Sequence, residues 1–143
     1  MVWAFLIVAV IGGIAITLQG QFMGTLTEKV GLIESVFITY VTGGILIALA
    51  MPFVRPNNLG AWRDVPWYTL TTGLLGLVIV GVIGYAVSKL GVSVALLAII
   101  VAQLVFAALI DHYGLFGAEV RAFDLTRTGG LLLVLGGTWL VVR

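Results

Sequence analysis

The stretch Leu90–Ile110, LGVSVALLAIIVAQLVFAALI, contains no charged residue. A helix of about 20 apolar residues crosses the hydrocarbon layer of a bilayer. Four more windows are also free of charge: Met1–Thr27, Ser35–Val54, Val65–Ser88 and the shorter Thr128–Val142. These windows do not alternate apolar with polar residues, as the strands of a membrane barrel would. The sequence therefore predicts an all-α membrane protein with five transmembrane helices.

The composition agrees with this interpretation. Of the 143 residues, 62% are apolar and 9% are charged, and the mean hydropathy is +1.24. Soluble domains have about 45–50% apolar and about 25% charged residues, and a short chain has too little interior to hide the excess. We therefore expect one transmembrane domain over residues 1–143, with membrane lipid around its helices.

Several classes of function are disfavoured by the sequence. A net charge of +1 creates no field that would attract nucleic acid. With no cysteine and one histidine, the chain lacks a disulfide framework and the ligands of a zinc site. It has no phosphate-binding loop and no nucleophile–base–acid set. We expect a protein that is not an enzyme, has no catalytic residues, and holds no metal or cofactor.

Polar segments that contain glycine or proline predict where the helices end. Gly24 and Gly31 enclose a polar turn after the first helix, and Pro52 marks the end of the second. The short link at 89–91 predicts that helices three and four form an antiparallel hairpin, and Asp124 is expected to cap helix five. The expected helices span approximately 2–22, 33–54, 66–88, 91–110 and 126–142.

Basic residues are divided almost evenly between the two sides of the membrane. The side with the N-terminus carries Arg55, Arg63, Arg121 and Arg127, and the other carries Lys29, Lys89 and Arg143. Because Lys and Arg in short loops set orientation, four against three leaves almost no bias. We hypothesise that the chain inserts both ways and forms an antiparallel homodimer. The alternative is that one or two charges fix a single topology, and a cysteine label at Asn57 would separate the two.

Helix five carries two glycine pairs on one side, Gly129-Gly130 and Gly136-Gly137. Small residues let membrane helices approach closely. These pairs can pack within the chain or against a second subunit. Our hypothesis is that the four glycines pack at a dimer contact, since glycines facing lipid would have no packing partner.

The candidate substrate path consists of uncharged polar side chains. The charge-free windows contain no buried acid of the kind that couples transport to ions. Hydroxyls often bond to carbonyls of their own helix, so those of helix two can belong to packing instead. An amide in hydrocarbon needs a partner, which can be another helix or a substrate, and Tyr85 can be an interface anchor. The candidates are Gln19, Gln103, Ser35, Thr39, Thr42 and Tyr85.

Three titratable groups at helix ends are candidates for gating or proton linkage. Glu34 lies in the first turn of helix two, where the helix dipole stabilises a carboxylate. It can also be an acid at the entrance of the path that titrates during transport. Asp111 and His112 end helix four and can pair to order the long loop that follows. Histidine changes charge near neutral pH, which would allow a gating role.

Several segments resemble the YdcZ-type family of small bacterial membrane proteins, within the drug/metabolite transporter superfamily. They are Gln103-Leu104, the run IDHYGLFG at 110–117, and Gly129 through Gly136-Gly137. The Asp-His-aromatic-Gly-Leu-Phe-Gly part is the most specific, and the resemblance covers the whole chain. It implies a multi-pass protein of the bacterial inner membrane.

The resemblance also implies an assembly. Full-length members of the superfamily contain ten helices in two inverted five-helix repeats, with the substrate site between the repeats. Two antiparallel copies of this chain, or this chain and an oppositely oriented paralogue, would rebuild that transporter. In the more distant small multidrug resistance proteins an essential glutamate occupies the position of Gln19. Glutamine cannot titrate, so proton-coupled export of cationic drugs is not expected here.

Two main functions are consistent with the sequence. The first is a small secondary transporter that moves a neutral or weakly polar molecule by alternating access as an antiparallel dimer. The second is a structural or assembly subunit of a membrane complex that transports nothing. Lipid movement is a third. Solvent access to position 103 distinguishes the first two, because a transport path is wet and a packing contact is dry.

Overall fold

A computed structural model describes residues 2–54 and 59–143 of the chain. Within those residues, five helices are long and apolar enough to cross a membrane. They are α1 (Val2–Val30), α2 (Leu32–Ala50), α3 (Thr72–Leu90), α4 (Val92–Tyr113) and α5 (Leu125–Val142), with short 3-10 turns at Leu59–Arg63, Trp67–Thr71 and Leu115–Gly117. The prediction of an all-α membrane protein is confirmed, and its completion to ten helices by a second copy stays a prediction.

The boundaries of α1 and α2 differ from the sequence-based expectation. Helix α1 continues to Val30 rather than ending near residue 22, and α2 ends at Ala50 rather than 54. The residues taken for a turn are helical because they pack: Gly24 lies against α3, and Thr27 bonds to α2. Arg55 and Asn57, used above for orientation and labelling, lie outside the described residues.

One residue, Gly31, joins α1 to α2. Its φ of 99° and ψ of 163° are adopted essentially by glycine alone. A Cβ at this position would also lie 2.6 Å from Oε2 of Glu34. Gly91, between α3 and α4, has a similar conformation, with φ 78° and ψ 161°. The antiparallel pairing expected for α3 and α4 stays a prediction.

The helices form two compact units, Met1–Lys89 and Leu90–Arg143, and the expectation of one domain over residues 1–143 stays a prediction. In the first unit, α3 packs against α1 through glycines. A Cβ on Gly24 would lie 2.5 Å from Cγ1 of Val87, and a Cβ on Gly84 would lie 3.1 Å from Cε of Met23. Close approach of the backbones therefore holds this unit together.

A contact between the hydroxyl groups of Thr27 and Ser35 links α1 to α2. Ser35 is fully buried, its Oγ donates to the carbonyl of Leu32 at 2.8 Å, and it lies 2.9 Å from Oγ1 of Thr27. Both hydroxyls are thereby satisfied inside the helix pair. Ser35 thus packs between these two helices, and its assignment to a substrate path stays a prediction.

In the second unit, α4 and α5 pack together and the loop between them is ordered by polar contacts. The Asp111 carboxylate pairs with the Arg127 guanidinium, and the Asp111 carbonyl accepts from the Arg121 amide at 2.8 Å. Asp124 caps α5, as expected, by accepting from the Arg127 amide at 2.6 Å. The loop is therefore fixed at both of its ends.

Candidate functional site

Two grooves in the first unit meet at Gln19. The first groove runs between α1 and α2, has a volume of about 510 Å³, and is walled by apolar side chains such as Phe22 and Met23. The second groove, of about 400 Å³, is lined from α1, α2 and α3. Gln19 and Thr39 line both. The sequence-predicted residues Gln19, Thr39 and Thr42 are thus brought together at these grooves.

The amide of Gln19 has no hydrogen-bond partner among the described residues. Its side chain is exposed, and within residues 2–54 and 59–143 it makes no hydrogen bond. An amide that leaves water without a hydrogen bond costs several kcal/mol (about 2–7). In the bilayer, this amide therefore requires a partner in addition to the contacts described here, and water or a bound molecule can provide it.

The hydroxyl groups of Thr39 and Thr42 on α2, unlike the amide of Gln19, have hydrogen-bond partners among the described residues. Thr39 donates to the Ser35 carbonyl at 2.9 Å and its oxygen lies 2.9 Å from Sδ of Met23, and Thr42 donates to the Ile38 carbonyl at 2.7 Å. Such bonds satisfy a hydroxyl within its own helix. Each oxygen keeps acceptor capacity toward the groove, so these threonines can accept from a ligand but are poor donors.

Gln103 and Tyr85 do not line these two grooves. Gln103 is exposed on α4 and, in the part of the chain that the structure describes, its side chain makes no hydrogen bond. Tyr85 is exposed on α3. Their assignment to a substrate path stays a prediction.

The three candidate gating groups occupy two separate places. Glu34 is exposed beside the Gly31 turn. Asp111 and His112 do not pair with each other: Asp111 binds Arg127, while Nδ1 of His112 accepts from the Phe123 amide at 3.2 Å. Both therefore order the long loop, as expected, but through different partners.

An exposed pair also lies in this loop. Arg121 and Glu119 form a salt bridge at 2.9 Å, with side chains 69% and 80% exposed. The hydrogen bond and the charge of Glu119 raise the pKa of Arg121 above its ordinary value. Surface pairs of this kind contribute little to stability.

The glycine pairs of α5 face open space within the chain. A Cβ added at any of the four would meet no atom within 4 Å. The glycines are Gly129, Gly130, Gly136 and Gly137. Their assignment to a dimer contact stays a prediction.

Tyr40 is a groove residue that the sequence reasoning missed. It lines the second groove beside Gly43 and Gly44, and its hydroxyl lies over Gly76 of α3. Among the described residues, that hydroxyl has no hydrogen-bond partner. Its position in the sequence could have identified it, because it lies far from either end of a membrane helix. Water does not reach the hydroxyl there, and a buried Tyr O–H usually finds a hydrogen-bond partner.

Comparisons with known proteins identify the family of this chain. A family described as "Putative inner membrane exporter, YdcZ" matches residues 4–140. The chain is also 28% identical over 145 residues to the "Inner membrane protein YdcZ" of Escherichia coli (strain K12), covering 98% of this chain and 93% of that protein. No solved structure matches the chain. This chain therefore belongs to the YdcZ family and is a multi-pass protein of the bacterial inner membrane.

Proposed function

We propose that the protein is a small transporter that moves a neutral or weakly polar molecule by alternating access as an antiparallel dimer. The observation that carries this proposal is the unpartnered amide of Gln19, at the junction of two grooves among apolar helices. The description of the family as an exporter supports transport as the function and outward movement as its direction.

The lining of the grooves supports a neutral substrate. Among the described residues that line either groove, none is acidic or basic. A charged ligand would lose its hydration there without gaining a counter-charge, which is costly. Gln19 can donate and accept, while Thr39 and Thr42 can accept. A mostly apolar molecule with one or two hydrogen-bonding groups fits this set.

Three observations support the antiparallel dimer. The basic residues are almost balanced between the two sides, the glycine face of α5 is open, and the amide of Gln103 needs a partner in hydrocarbon. A second copy in the opposite orientation would provide the inverted repeat on which transporters of this type are built. An oppositely oriented paralogue is the other possible partner.

Water access at position 19 tests transport against a packing role. The chain has no cysteine, so Gln19→Cys can be matched with Ile14→Cys, an apolar position on the same helix that is 57% exposed and lines neither groove. A small uncharged thiol reagent reacts with the thiolate, which forms only where water reaches. We expect position 19 to react in membrane vesicles and position 14 to stay unreactive, with labelling measured by mass spectrometry.

An unreactive cysteine at position 19 would overturn the transport proposal and favour the assembly-subunit function. The same labelling at Gln103→Cys tests the second amide. Labelling at position 103 would show that water reaches this residue of α4, whereas a lack of labelling would assign Gln103 to helix packing.

Orientation is tested by two exposed positions on opposite sides of the membrane. Glu28 lies near the α1–α2 turn, and Ala122 lies in the loop before α5. If the chain inserts both ways, we expect an impermeant maleimide to label about half of Glu28→Cys and about half of Ala122→Cys on intact cells. Labelling of one variant only, with the other reacting after permeabilisation, would exclude the homodimer and direct the search to a paralogue.

A further inference from the structure

The second groove contains two polar groups that nothing in the described chain satisfies. They are the amide of Gln19 from α1 and the hydroxyl of Tyr40 from α2. Tyr40 is 37% exposed and lines the groove, so part of its side chain is accessible from it. Two such groups beside one groove of about 400 Å³ form a pair of hydrogen-bonding points, each able to donate and to accept.

The wall beside these groups is bare helix backbone. Gly43 and Gly44 lie three and four positions after Tyr40, which places all three on one side of α2. A Cβ on either glycine would meet no atom within 4 Å. Because no side chain covers the helix here, a flat ring can lie directly against it.

The Tyr40 hydroxyl lies beside α3. It occupies the space next to Gly76, where a side chain on residue 76 would collide with it. The glycine on α3 therefore makes room for a polar group from α2.

We propose that Tyr40 and Gln19 form a two-point subsite for a planar, neutral molecule with an adjacent donor and acceptor, such as an aromatic amide or lactam. Its ring would lie on Gly43 and Gly44, and its polar edge would bond to the two side chains. This subsite rests on the proposed transport function, since it treats the second groove as part of the path. It goes further in assigning the substrate class and Tyr40 as a specificity-determining residue.

The test uses benzamide as the probe. Tritiated benzamide is bound to the full chain in lipid nanodiscs, with empty nanodiscs to subtract partitioning into lipid. Cyclohexanecarboxamide, which keeps the amide but is not planar, and toluene, which keeps the ring without the amide, are the competitors. We expect unlabelled benzamide to displace the probe at lower concentration than either competitor.

Two variants test the contacts. Tyr40→Phe removes only the hydroxyl, and loss of one hydrogen bond is expected to weaken benzamide binding about two- to tenfold. Tyr113→Phe, which removes an exposed hydroxyl at the end of α4, is the control without effect. Gly44→Ala is expected to weaken benzamide binding more than cyclohexanecarboxamide binding, whereas Gly12→Ala, also in open space, changes neither.

The outcomes separate this inference from the transport proposal. Absence of specific benzamide binding, or equal affinity in Tyr40→Phe, overturns the subsite even if position 19 is accessible to water. Displacement by toluene as strong as by benzamide also overturns it, and assigns the groove to apolar chains such as those of lipids. Specific binding that depends on Tyr40 while position 19 stays dry would show a binding site outside a transport path, and would overturn both the transport proposal and the assignment of a substrate class. Native mass spectrometry of each variant checks that assembly is unchanged, and a loss of binding that coincides with a loss of assembly counts against the subsite.

Discussion

Gly24→Leu is expected to remove most of the folded protein from the membrane. Even a Cβ at this position would lie 2.5 Å from Cγ1 and 3.1 Å from Cβ of Val87, with the backbone nitrogen of Ser88 at 3.4 Å. Both helices would have to separate, because the β-branched side chain of Val87 is stiff at χ1 and cannot swing aside as a long flexible side chain does. Overpacking typically lowers the free energy of unfolding by about 1–3 kcal/mol. For a leucine at position 24 we expect a loss at or above the upper end of this range.

The measurement is the amount of monodisperse protein after detergent extraction, together with its thermal stability. Gly13→Leu is the matched control, since it lies on the same helix and its Cβ would meet no atom within 4 Å. Gly24→Ala should give an intermediate loss, and Val87→Ala should restore it by removing the colliding methyl groups. A normal yield of Gly24→Leu would show that α1 and α3 do not approach this closely.

The second large effect is expected for Asp111→Ala, which leaves the guanidinium of Arg127 unpaired. The two side chains are 34% and 30% exposed, between the fully buried and the surface cases. Breaking a buried pair costs about 3–5 kcal/mol and an exposed one about 0–1 kcal/mol, so we expect a loss of about 1–3 kcal/mol. The loop at 118–124 should also exchange its amide hydrogens faster, because Arg127 anchors it through the Arg121 carbonyl at 3.1 Å.

Hydrogen exchange read by mass spectrometry, with thermal unfolding alongside, provides the measurement. Glu119→Ala serves as control, because its highly exposed pair with Arg121 should change neither quantity. A double-mutant cycle with Arg127→Ala isolates the pair energy. If Asp111→Ala behaves like Glu119→Ala, the ion pair does not hold the loop.

The sequence was sufficient for the features that depend on local chemistry. The number of apolar helices follows from the spacing of charges, and the N-cap at Asp124 from its side chain. The end of α1 was placed too early because Gly24 and Thr27 resemble turn residues. Only their contacts with Val87 and Ser35, distant in sequence, show why they are helical.

The candidate site was only partly predictable for the same reason. Gln19 stood out because an amide in hydrocarbon always needs a partner. Ser35 had the same helical spacing as Thr39, and nothing local distinguishes a hydroxyl that pins two helices from one that lines a groove. The place of Tyr40 in the groove could not be predicted from its neighbours in sequence, because it depends on Gly76, which lies on another helix.

Because Gly31 alone separates α1 from α2, the two helices leave the ribosome with almost no loop between them. The insertion machinery would then receive a hairpin, whose tip carries Glu28 and Lys29. A tip with one lysine carries little positive charge to set its side of the membrane. If the chain inserts both ways, as proposed, this tip would leave the choice of orientation to segments translated later.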